Sequence, residues 1–107
     1  MNHPTKEDLE RLRARVDEID EALVAQLGRR FGLTRQIGAL KAAGGLPATD
    51  ADRQRRQDER LAGLAVAHGV APGLVQQVFD DIRAQVCREH DELRLDQDVG
   101  QRRGLSQ

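Results

Sequence analysis

Five apolar residues, Leu9, Leu12, Val16, Ile19 and Leu23, recur at spacings of three, four, three and four. That is a helical stripe of heptad type. Leu27, Ile37 and Leu40 continue it approximately, and no Pro interrupts the chain between Thr5 and Ala43. Thr5 followed by Asp8 supplies an N-cap with an acid in the first turn. Gly44-Gly45, with Pro47 just beyond, supplies the stop. A helix of this extent is about 57 Å long at 1.5 Å per residue. A compact chain of 107 residues has a radius of gyration of only about 13 Å. The apolar stripe then needs a cover, and a second copy of the chain is the simplest one. The expected architecture is all-α, with three helices per chain, one very long, in an intertwined helical homodimer.

A second helix is expected from about Ala51 to His68, capped by Thr49 or Asp50 and ended by Gly69. Pro72 suits the first turn of a third helix, whose apolar face carries Val75, Val78, Phe79, Ile82, Val86 and Leu93. From there the periodicity fades. The expected organisation is an N-terminal arm and helix start over 1–8, a helical domain over 9–94 and a disordered tail over 95–107.

Composition excludes several classes. With two Phe, no Tyr and no Trp, the core must come from Leu, Val, Ile and Ala, which suits packed helices. A single Cys excludes a disulfide framework, and Cys87 reads as packing. His3, His68 and His90 lack metal-ligand spacing, so no metal site is expected. The N-terminus does not read as a targeting peptide, and no apolar run approaches the ~20 residues of a membrane span. The expectation is a cytoplasmic protein without membrane contact. A formal net charge of −1 gives no global field for nucleic acid. Arg53, Arg55, Arg56 and Arg60 interleave with Asp52, Asp58 and Glu59, as on a solvated, salt-bridged face.

Two inconsistencies in the pattern carry the chemistry. Arg30 lies eleven residues after Ile19, and Lys41 eleven after Arg30; eleven residues return to nearly the same helix face. Either the two long side chains snorkel from the stripe to water, or they hold an anionic ligand between helices. Arg13 stands about 25 Å before Arg30 along the helix. It is either a surface residue or, in an antiparallel dimer, a contributor to the partner's pocket. On the third helix Ile82, Val86 and His90 follow at i, i+4 and i+8, placing His90 on the apolar face as a core histidine or a functional one.

The segments Leu9–Leu23, Leu27-Gly-Arg-Arg30, Ile37-Gly38-Ala-Leu-Lys41 and Gly45-Leu-Pro47-Ala-Thr-Asp50 resemble the chorismate mutases of the all-helical AroQ class. The resemblance spans about residues 9–93. It implies rearrangement of chorismate to prephenate in aromatic amino acid biosynthesis, a pericyclic step that needs no cofactor. The substrate is a dicarboxylate, and negative charge grows on its breaking ether oxygen, where cations stabilise the transition state. By the resemblance, Arg30 pairs with one carboxylate, Arg13 reaches the other from the second protomer, and Lys41 donates to the ether oxygen. Asp50 lies by the ring hydroxyl.

Three positions depart from the family pattern. Gln54 stands where Glu is usual, and Val86 and His90 stand where Ser and Gln are common. His90 is then the expected second donor to the ether oxygen, and Val86 removes a carboxylate contact. These departures leave 4-amino-4-deoxychorismate mutase and isochorismate-pyruvate lyase as alternatives. A non-catalytic helical dimerisation or binding module is the alternative of another class, but it has no reason to place Arg30 and Lys41 on its stripe.

Overall fold

The computed structural model describes residues 3–47 and 50–105, with side chains through Leu95. Three helices follow in order: α1 (Lys6–Ala43), α2 (Ala51–Ala67) and α3 (Pro72–Leu105). The described residues contain no strand. The chain divides into two units, Met1–Leu33 and Thr34–Gln107, with α1 continuing from the first into the second.

The first unit is the N-terminal part of α1. Its start is a reciprocal cap. The Thr5 Oγ1 accepts from the Asp8 backbone N–H at 3.1 Å, and the Asp8 Oδ2 accepts from the Thr5 N–H at 3.0 Å. Two of the helix's orphan donors are thereby satisfied. The sequence stripe lies open in this unit: Leu9, Leu12, Val16, Ile19 and Leu23 are 47% to 60% exposed.

The second unit begins with the last turns of α1. The helix ends in a Schellman motif. Gly45 takes φ 64°, the Leu46 N–H bonds the Lys41 carbonyl at 2.8 Å, and the Gly45 N–H bonds the Ala42 carbonyl. Asp50 caps α2, its Oδ1 accepting from the Arg53 N–H at 3.1 Å. The same C-terminal device closes α2, with Gly69 at φ 68° and the Val70 N–H on the Ala65 carbonyl. Pro72, which lacks an N–H, opens α3, where a donor would have been an orphan anyway.

Helices α2 and α3 pack against each other. Among the described residues Ala65 and Ile82 are the buried apolar ones, and burying one Ile side chain is worth about 1.5–3 kcal/mol. Arg83 ties the pair from the side. Its Nη2 donates to Gln57 Oε1 at 3.0 Å and to Asp58 Oδ1 at 2.5 Å.

The three-helix order follows the sequence expectation, and α1 and α2 fall within a residue of it. The tail differs. Expected as irregular over 95–107, it continues α3 as helix to Leu105; residues 106–107 lie outside the described ones. The physical reason is that adding a residue to an existing helix is cheap, whereas nucleation is costly. Residues 95–105 contain no Pro to stop it.

Candidate functional site

The end of α1, the loop after it and the start of α2 enclose an open hollow of about 610 Å³. It is lined by Ile37, Lys41, Leu46, Pro47 and the first residues of α2, Asp50 to Arg53. That volume lies within the usual range of small-molecule sites. The local backbone fixes its walls. The Schellman bond holds the Lys41 carbonyl and turns Leu46 back over the helix end. Asp50, by capping α2, places its own carboxylate and the Arg53 backbone at the same helix start.

Two of the residues expected in the site, Lys41 and Asp50, thus line one hollow. Lys41 is half-buried, and its ammonium and the Arg53 guanidinium supply positive charge beside the carboxylates of Asp50 and Asp52. Such a mixed lining suits a ligand that carries both acidic groups and a hydrogen-bond donor. In the sequence pattern Arg53 and Asp52 belong to a solvated charge face. The signal that singles out Arg53 is its place three residues after the cap Asp50, in the first turn of the helix that the cap orients.

The other expected residues fall elsewhere. Gln54 is exposed on α2 and is not among the residues lining the hollow. Val86 and His90 are half-buried on α3 and do not line it either. His90, expected as a donor to ligand, has its Nε2 at 2.9 Å from the Thr34 carbonyl of α1. One residue earlier, Glu89 Oε1 accepts from Arg35 Nη2 at 2.7 Å and Nε at 3.2 Å. Glu89 Oε2 is buried without a hydrogen-bond partner, so the Arg35 charge is what compensates this carboxylate. In the first unit, Arg13 is exposed and Arg30 half-buried. Cys87 is exposed rather than packed.

Among the described residues no group of His, Cys, Asp and Glu is arranged to hold a metal ion, and no helix is long and apolar enough to cross a membrane.

The family model for chorismate mutase type II matches residues 12–91. The chain is similar to the 4-amino-4-deoxychorismate mutase of Streptomyces venezuelae, 31% identical over 84 residues, which cover 78% of this chain and 82% of that one. It is similar to the chorismate mutase of Methanocaldococcus jannaschii, 26% identical over 78% of this chain and 80% of that one. It is also 32% identical to the T-protein of Enterobacter agglomerans over 77% of this chain, spanning 21% of that longer protein. With the match running from the first turns of α1 to the middle of α3, the chain belongs to the chorismate mutase type II family of isomerases.

Proposed function

We propose that the protein rearranges chorismate to prephenate, serving aromatic amino acid biosynthesis, by electrostatic stabilisation of the pericyclic transition state. The observation that carries this reading is the shared hollow of Lys41, Asp50 and Arg53. In the rearrangement the ether C–O bond breaks while a C–C bond forms within one molecule. No proton or electron leaves the substrate. The protein's task is therefore to hold a compact conformer and meet the charge that grows on the ether oxygen. Lys41 is the cation for that oxygen. Arg53 is placed for a carboxylate, which a guanidinium can grip with two parallel bonds. Asp50 accepts from the ring hydroxyl.

For Arg13 and Arg30 the support is their place in the matched sequence. Arg30 pairs with one substrate carboxylate, and Arg13 of a second copy with the other. The open stripe of the first unit supports that second copy. Five large apolar residues about half exposed on one helix are a surface that water disfavours. The working protein in this reading is a homodimer.

A second reading replaces the ring hydroxyl by an amine, as the name of the Streptomyces venezuelae relative indicates for that protein. A carboxylate such as Asp50 accepts from an ammonium as well as from a hydroxyl. The experiment is to offer the purified protein chorismate and 4-amino-4-deoxychorismate separately and to resolve the products. Prephenate from chorismate, with kcat reduced about 10²–10³-fold by Lys41→Ala, is the expected result. Turnover of the amino substrate alone would favour the second reading. Turnover of neither would end both.

A further inference from the structure

Gly38 is the one buried residue among those described in α1. A Cβ built there would lie 2.5 Å from His90 Cδ2 and 2.6 Å from Nε2. The imidazole occupies the space that any other residue's side chain would need. Its Nε2 is 2.9 Å from the Thr34 carbonyl. A carbonyl oxygen only accepts, so Nε2 carries the hydrogen of this bond. Next to this bond, Arg35 and Glu89 join the same two turns of α1 and α3. Lys41 follows Gly38 by three residues, less than one helical turn, and begins the hollow with Ile37.

We propose that His90 is a positioning residue: seated on Gly38 and bonded through Nε2–H to the Thr34 carbonyl, it fixes the last turns of α1 and so sets where the Lys41 ammonium stands in the hollow. The assignment rests on the reading of that hollow as the substrate site. It differs from the donor role expected from sequence, because the Nε2 hydrogen is already given to the Thr34 carbonyl. It also accounts for glycine at position 38. The ring lies on the helix backbone, and a methyl group there would displace the imidazole from its seat.

The test joins spectroscopy to kinetics. Long-range ¹⁵N–¹H correlation reads which imidazole nitrogen of His90 carries the hydrogen. Spectra are taken on the free protein and with a bicyclic ether dicarboxylate shaped like the rearrangement's transition state. The expected result is the Nε2–H form in the free protein, with the Nε2 resonance nearly unmoved by the dicarboxylate. In turnover, His90→Ala should lower kcat about a hundredfold, as a displacement near 1 Å can, with KM held within about threefold. Gly38→Ala should do the same, although glycine offers no polar side chain to a substrate. His90→Gln, whose amide can donate from the position of Nε2, should recover most of kcat.

An Nδ1–H form in the free protein would overturn the assignment. So would transfer of the Nε2–H bond to the dicarboxylate, or a His90→Ala protein that keeps its kcat and loses only thermal stability. The spectra of the unaltered protein decide the matter even where Gly38→Ala does not fold. If the unaltered protein neither binds the dicarboxylate nor turns over either substrate, the substrate reading fails. If it turns over and only the His90 results go wrong, the positioning role alone fails.

Discussion

At the scale of single residues, Asp50 serves two roles through one carboxylate. Its Oδ1 caps α2 through the Arg53 N–H, and its side chain lines the hollow. The two roles separate by substitution. Asp50→Asn keeps a side-chain oxygen for the cap and removes the charge; Asp50→Ala removes both. Thermal unfolding should therefore place Asp50→Asn close to the unaltered protein and Asp50→Ala about 1 kcal/mol lower. Turnover should fall in both, and a fall in Asp50→Ala alone would assign the carboxylate to the helix end only. Lys41 is legible in the sequence because a cation on an apolar stripe breaks a pattern. Arg53 is not, because a cation within a run of charges breaks none. His90 is legible as out of place, but periodicity names a face and not a partner, and the Thr34 carbonyl has no sequence signature.

At the scale of elements, every helix end but the last is readable because its chemistry is local: Thr5 with Asp8, Asp50, Gly45, Gly69 and Pro72 all act within a few residues. The continuation of α3 to Leu105 is hidden for the opposite reason, since it depends on the helix that precedes it rather than on its own pattern. The tie between α2 and α3 is equally hidden. Arg83 is 17% exposed and satisfies Gln57 and Asp58 at once, and no spacing along one chain announces a contact 25 residues away. Removing Arg83 leaves Asp58 and Gln57 without the donor they share. Because Asp58 is still about one third exposed, the cost is below that of a fully buried pair. Arg83→Ala should destabilise the protein by about 1–3 kcal/mol in denaturant unfolding. Arg55→Ala, which breaks an exposed pair with Asp52, should change stability by less than about 0.5 kcal/mol. Equal effects would mean that the α2–α3 seam does not depend on Arg83.

At the scale of the whole molecule, the open α1 stripe and the placement of Arg13 lead to one experiment. In a homodimer whose sites each take Arg13 from one copy and Lys41 from the other, Arg13→Ala and Lys41→Ala proteins are both inactive alone. Their defects lie on different copies' contributions to a site. After unfolding and refolding an equal mixture, about half of the dimers are mixed. Each mixed dimer holds one site with both substitutions and one with neither. Activity should return to about a quarter of that of the unaltered protein at the same total concentration, since one site in two is intact in half of the dimers. A site built within one chain behaves differently, because every chain then carries a defect and mixing restores nothing. Replacing Ile19 by Asp tests the same surface without touching a charged ligand contact. A carboxylate on the stripe costs nothing in a lone helix exposed to water, but it is expensive once covered by a second copy. That variant should sediment as a monomer and lose turnover together with its dimer. A dimer that survives Ile19→Asp would move the interface off the stripe, and turnover by a monomer would remove the need for Arg13 from a second copy.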